Sequence, residues 1–274
     1  MKKAADSEYA QNYTTCFLQD GDAFVLQTEF LMQILEGIHK YLPNIKHVTT
    51  YARADSIARK SVSELRELKT AGIEHLYCGM ETGSDLILRK INKGFDAATI
   101  IISGTKAKEA GMVLSEFTLF GIGGKELAEE NAVETAKVLN VIKPDFVRVH
   151  ATGIKLSSEM WNYVKNKELT LQSEEEIVSE QKIMLELLAD DMDCIYMNEH
   201  IVNLLLEVRG NIRTDKQNML ETINTYLQLP KQEQELFNLG RRLNIMFFLA
   251  DLNNRAKRLS LIHISEPTRH SLIS

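Results

Sequence analysis

A chain of 274 residues, 44% hydrophobic and 26% charged, has room for one large barrel or two ordinary domains around a sizeable core. Its net charge of -6 supplies no basic field, which disfavours nucleic acid as a partner, and no apolar run is long enough to span a bilayer. Cys16, Cys78 and Cys194 lie too far apart for a disulfide framework or a local metal motif. The residues after Met1 turn acidic at Asp6 and Glu8 where a signal peptide would turn apolar, so a cytoplasmic protein is expected.

The elements alternate regularly. A strand is predicted at about 15–19, then a helix from Thr28 to Tyr41 with Leu31, Ile34, Leu35 and Ile38 at helical spacing. A second strand covers Val48 to Tyr51. Ser61-Val-Ser-Glu64 has the form of a capping box, and the helix it starts stops at Ala71-Gly72. Ile73 to Gly79 is a third strand, followed by a short helix from Ser84 to Asn92 and another from Ala97 to Ala110. Val113 to Phe120 is a fourth strand, Glu126 to Ile142 a helix stopped before Pro144, and Phe146 to His150 a fifth strand. Short apolar strands separated by helices with repeated Ala-Gly stops point to parallel βαβ units that curl into a barrel or partial barrel.

After Thr152 the character changes. Glu174 to Ala189 and Thr214 to Leu229 read as amphipathic helices, with a short strand at Cys194 to Met197, so 153–258 is expected to be a mostly helical extension packed on a core of 1–152. From Leu259 the run Leu-Ser-Leu-Ile-His-Ile-Ser-Glu-Pro-Thr-Arg269 looks like a sequencing-library adapter translated in frame. Residues 259–274 are therefore expected to stand apart from the fold, and His263 and His270 to carry no function.

Two junctions carry the chemistry. Asp20-Gly21-Asp22-Ala23 and Gly79-Met-Glu-Thr-Gly-Ser-Asp85 each close a strand and lead into a helix, which is where β/α folds place ligand loops. Each also has a plain structural reading: an Asp turn or cap, Ser84 as a helix cap, Lys93 near a helix C-terminus, and His150 held at a strand end for packing.

Those runs, with Ile91-Asn-Lys-Gly94, Lys108-Glu-Ala-Gly111, Gly121-Ile-Gly-Gly124 and Glu130 to Asp145, resemble in order and spacing the core of radical S-adenosylmethionine enzymes. The similarity is greatest to the branch described as coproporphyrinogen-oxidase-related iron–sulfur oxidoreductases. It implies an α/β fold, a partial parallel (β/α) barrel missing its first strand, with a mostly helical C-terminal extension. By the same resemblance Asp20, Gly21 and Asp22 would receive the methionyl ammonium, Glu81 the ribose hydroxyls and Lys93 the methionyl carboxylate. Ser84 would add a hydrogen bond, Leu119 and Gly121 would face adenine, and His150 the adenine or the substrate.

The implied cofactors are S-adenosylmethionine and, in the full-length protein, a [4Fe-4S] cluster, together with a small-molecule substrate and an external electron donor. The family holds that cluster with three cysteines separated by three and then two residues, and no such motif occurs. The resemblance thus predicts a chain that begins after the cluster loop and is inactive in reductive cleavage as written. Two other readings need no cysteines: an ordinary β/α-barrel enzyme with Glu81 and Asp22 as acid and base, or a non-catalytic module with a nucleotide-like pocket.

Overall fold

The computed structural model describes residues 10–261, and in it seven strands form one sheet in chain order. They are β1 (Thr15–Leu18), β2 (His47–Ala52), β3 (Ile73–Glu81), β4 (Val113–Phe120), β5 (Phe146–Ala151), β6 (Ile195–Met197) and β7 (Gly210–Asn211). The first six are parallel and β7 pairs antiparallel with β6. Helices α1 (Thr28–Tyr41), α2 (Ala54–Arg59), α3 (Val62–Thr70), α4 (Asp85–Lys90), α5 (Ala97–Glu109) and α6 (Ala128–Ile142) fill the first four crossovers. After β5 come α7 (Met160–Lys165), α8 (Glu174–Leu187), α9 (Ile212–Leu227) and α10 (Lys231–Arg242). A sheet whose strand order equals its chain order, with helical crossovers, winds in one direction, and this one stays open: an α/β partial barrel.

Local chemistry fixes the element ends. The capping box forms as the sequence predicts: Ser61 Oγ accepts from Glu64 N at 3.2 Å and Glu64 Oε2 accepts from Ser61 N at 2.7 Å. Asp96 caps α5 by accepting from Thr99 N at 2.9 Å. The stop before Pro144 is Lys143 in a left-handed conformation at φ 48°. Leu31, Leu35 and Ile38 turn one face of α1 onto the sheet.

Strand alternation separates two faces. Val48, Leu76, Leu114, Val147 and Val149 point toward the helices and are fully buried. The alternate positions line the inner face with rings. Phe17 on β1 and Tyr77 on β3 are two strands apart, a span of about 10 Å in a flat sheet, yet their ring centroids lie 5.4 Å apart. The inner face is therefore concave.

Several expectations change. The sheet runs on past Thr152, because β6 joins β5 in parallel, so the boundary expected there falls within one continuous sheet. Helices α2, α7 and α10 and strand β7 were not anticipated; all but α10 are six residues or fewer, too short for a periodic signal. The helix expected from Glu126 starts as a 3-10 turn, Lys125–Leu127, before α6. Residues 255–261 are helical, and Leu261 is fully buried in the core, so at least this part of the stretch expected to stand apart is packed against the fold. His263 and His270 lie outside the described residues. No helix among the described residues is long and apolar enough to cross a membrane.

Candidate functional site

A cavity of about 610 Å³ opens at the carboxyl ends of β1 to β5. Its wall includes Gly21 and Asp22 after β1, Tyr51 to Arg53 at the end of β2, Tyr77, Gly79 and Glu81 on β3, Lys93 after α4, Phe117 and Leu119 on β4, and His150 on β5. Parallel strands bring these residues together because all of them end at the same side of the sheet.

Backbone geometry aims the central acid. The β3–β4 register shifts between Gly79 and Glu81, and Glu81 takes a left-handed φ of 63°, so the bulge turns its side chain into the cavity. There Lys93 Nζ donates to Glu81 Oε1 at 2.7 Å, and both side chains are mostly shielded from solvent. Gly79 leaves room for this pair: a Cβ there would lie 2.5 Å from Glu81 Oε1 and 3.4 Å from Lys93 Nζ and would displace both side-chain ends. Gly83 is held more strictly on the helix side, where a Cβ would come within 2.2 Å of the Glu134 backbone carbonyl oxygen.

The turn after α4 presents Lys93. Asn92 adopts φ 53°, Lys93 N donates to Leu88 O at 3.0 Å, and Arg53 Nη2 donates to Lys93 O at 2.8 Å. The Arg53 guanidinium lies over the Phe95 ring. Asp22 is already engaged, since its carboxylate accepts from Arg53 N at 3.1 Å and Ser56 Oγ at 2.5 Å. It pins the start of α2 to the loop after β1 while remaining on the cavity wall.

Of the nine residues singled out from the sequence, Gly21, Asp22, Glu81, Lys93, Leu119 and His150 meet at this cavity. The other three lie elsewhere. Asp20 is exposed at φ 93° in the turn ahead of the cavity wall. Ser84 is buried as the cap of α4, accepting from Ile87 N at 3.3 Å and donating to Glu130 Oε1 at 2.9 Å. Gly121 directs its N–H into the extension, donating to Glu180 Oε2 at 3.0 Å.

Glu180 was not foreseen. It sits on α8, buried, and also accepts from Asn131 Nδ2 at 2.5 Å and Gln172 Nε2 at 2.8 Å. Burial pushes its carboxyl up to about 7 against the pull of those donors. Tyr51, Arg53, Tyr77 and Phe117 were missed as well; the strand alternation was legible, but not which face is inner. His200, beyond β6, packs on His150 with ring centroids 4.2 Å apart. Burial first and the neighbouring His200 second lower the His150 pKa, which favours a neutral imidazole on the wall.

The cysteines do not form a cluster site. Cys16 is on β1, Cys78 on β3 and Cys194 just before β6, and among the described residues no three metal-ligating side chains gather. Burial raises the pKa of all three thiols, which disfavours the thiolate a metal requires.

No family model matches the sequence. The heme chaperone HemW of Bacillus subtilis is 24% identical over 173 residues, covering 62% of this chain and 45% of HemW. Among solved structures, Elp3 of the archaeon Methanocaldococcus infernus superposes with a TM-score of 0.51 at 14% identity, over 64% of this chain and 45% of that one. Coproporphyrinogen III oxidase (HemN) of Escherichia coli, described as a radical SAM enzyme, gives a TM-score of 0.50 at 14% identity, over 63% and 40%. The chain spans less than half the length of each of these proteins.

Proposed function

We propose that this chain, whose fold is that of the radical S-adenosylmethionine superfamily, binds S-adenosylmethionine in the cavity at the carboxyl ends of its strands. The observation that carries the reading is the convergence of Glu81, Lys93, Asp22, Leu119 and His150 on one cavity, with Gly79 leaving the space that any Cβ would fill. A volume of about 610 Å³ is in the usual range for a cofactor site.

The chemistry of the wall suits the zwitterionic, ribose-bearing cofactor. Lys93 offers only donors, which matches the methionyl carboxylate, while the Asp22 carboxylate and the carbonyls around Gly21 match the ammonium. Glu81 uses Oε1 for Lys93, and its Oε2 is available to two vicinal hydroxyls. Leu119, Phe117 and the neutral His150 ring give adenine a face to lie against.

The [4Fe-4S] cluster is a different matter. The three cysteines, on separate strands or beside them and with raised thiol pKa values, do not fit its ligation, and no electron transfer is assigned to this chain. The chain as written binds the cofactor without cleaving it.

Calorimetric titration with S-adenosylmethionine tests the reading. Saturable binding is expected, weakened by Glu81→Gln by about 1–3 kcal/mol, the usual loss for a hydrogen bond to a charged group. Titration without binding, or binding indifferent to Glu81→Gln and Gly79→Ala alike, would overturn it. Anaerobic incubation with iron, sulfide and dithionite should yield neither cluster absorbance nor 5′-deoxyadenosine.

A further inference from the structure

Below the cavity floor the inner face carries one more arrangement that the cofactor site does not use. Arg148 on β5 precedes His150 by two residues on the same face, so it sits about 7 Å deeper, beside Phe117 in the β4–β5 register. Its guanidinium carbon lies 5.2 Å from the Tyr77 ring centroid and 5.6 Å from that of Phe146. Its Nε donates to the buried Ser115 Oγ at 3.3 Å. Two aromatic contacts and one hydrogen bond fix the plane and the direction of the side chain.

The neighbouring ring completes the fixation. His75 stacks on Tyr77 at 4.2 Å and on Phe146 at 5.5 Å, and its Nε2 lies 2.8 Å from the same Ser115 oxygen. The Ser115 hydroxyl, with one proton and two lone pairs, thus bridges Arg148 Nε and His75 Nε2. Burial first and the Arg148 charge second hold His75 at a pKa of about 4, so it brings no second charge at neutral pH.

What is left is a fork with both terminal nitrogens uncommitted. Among the described residues Arg148 makes no ion pair, which is also true of Arg89, Arg241 and Arg255. Arg241, however, spends its terminal nitrogens on the carbonyls of Met246, Ile201 and Asn203, whereas Arg148 bonds only through Nε. A guanidinium oriented in advance by packing matches a pair of coplanar oxygens. The rings of Tyr77 and Phe146 flank it, Phe117 is its register neighbour on β4, and Phe17 extends the apolar surface beyond Tyr77.

We propose that Arg148 anchors the carboxylate of an apolar or aromatic acid, and that this acid is the small-molecule substrate, bound on the inner face directly beneath S-adenosylmethionine. The inference deepens the proposed function and rests on it for the word substrate. The anion site itself stands on the geometry of Arg148, Ser115, Tyr77 and Phe146.

The test uses phenylacetate as the probe, followed by NMR of arginine Nε–H groups, with Arg148 identified by the signal lost in Arg148→Lys. Phenylacetate should shift that signal, and the isosteric phenylacetamide should bind at least about tenfold more weakly. Arg148→Lys keeps the charge and removes the fork, and Arg148→Met removes both. Each should weaken phenylacetate by at least about tenfold while leaving S-adenosylmethionine affinity within about twofold. The comparison of acid with amide on the unaltered chain needs no variant and survives any folding defect.

Equal binding of acid and amide, or an unmoved Arg148 signal, overturns the proposal. Phenyl phosphate binding as tightly as phenylacetate overturns the carboxylate class. If the chain binds phenylacetate through Arg148 but not S-adenosylmethionine, the proposed function fails and the anion site remains. Cofactor binding with no preference for the acid does the reverse: the proposed function stands and the anion site falls.

Discussion

On the helix-facing side of the sheet Val48, Leu76, Leu114, Val147 and Val149 are fully buried and alike in kind, while the positions between them hold Phe17, Tyr51, Tyr77, Ser115, Phe117 and Arg148. The first set excludes water and sets stability. The second is half-buried or polar and gains little from burial, so its identities answer to what lies against it. Two residues on one strand, a single position apart, can thus belong to different problems. The two faces should therefore separate under substitution.

The largest effect should come from the two glycines of the Gly79–Gly83 run. A Cβ at Gly83 meets the backbone of α6, which cannot give, so Gly83→Ala should lower stability by about 3 kcal/mol, the upper end for overpacking. A Cβ at Gly79 meets only the end of the Glu81 side chain and the Lys93 ammonium, which can move. Gly79→Ala should leave the denaturation midpoint nearly unchanged and weaken S-adenosylmethionine binding at least about tenfold. Denaturation and titration of both variants check this; equal losses of stability would show that the faces do not separate.

Glu116 breaks the pattern from inside. It faces the helices, fully buried, opposite Cys78 in the β3–β4 register and, among the described residues, with no charged partner beside it in an ion pair. Burial pushes it up to about 8, against an ordinary value near 4.5. The native state therefore keeps a proton that the unfolded chain releases, and stability falls as pH rises from about 5 through 8. Between pH 6 and pH 8 the loss should be about 2–3 kcal/mol, and Glu116→Gln should remove it. Urea denaturation of both chains at the two pH values measures the difference; parallel pH profiles would mean that the carboxyl is already ionised or solvated.

Much of this was legible because local chemistry dictates it. Ser61 and Glu64 announce their capping box, Thr28 to Tyr41 shows its stripe, and Val113 to Phe120 forms a strand with the predicted bounds. The strand-end acid Glu81 and the turn residue Lys93 were visible as a motif, and parallel winding alone brings them to one cavity. What a motif could not show was how a residue's hydrogen-bonding capacity is used. Ser84 is taken up by α4 and Glu130, Gly121 by Glu180, whose partner helix lies 59 residues further along the chain. Arg148 was passed over because nothing local distinguishes it: its orientation comes from Tyr77, Ser115 and Phe146, on three strands.

The smallest effect concerns the C-terminal stretch, where the sequence reading and the packing disagree most sharply. If nothing from Leu259 onward belongs to the fold, Leu261→Ala changes no property of the chain. Leu259 is 44% exposed and fits that view, but Leu261 is fully buried among core side chains. A leucine held there contributes its transfer free energy and fills volume, and its truncation should cost about 2 kcal/mol, the low end for buried leucines. Leu259→Ala on the same helix should cost under about 0.5 kcal/mol. A difference of that size between two leucines one turn-fraction apart would show that packing has recruited the segment whatever its origin. Equal, negligible costs would return 259–261 to the category of appended sequence and leave the core complete without it.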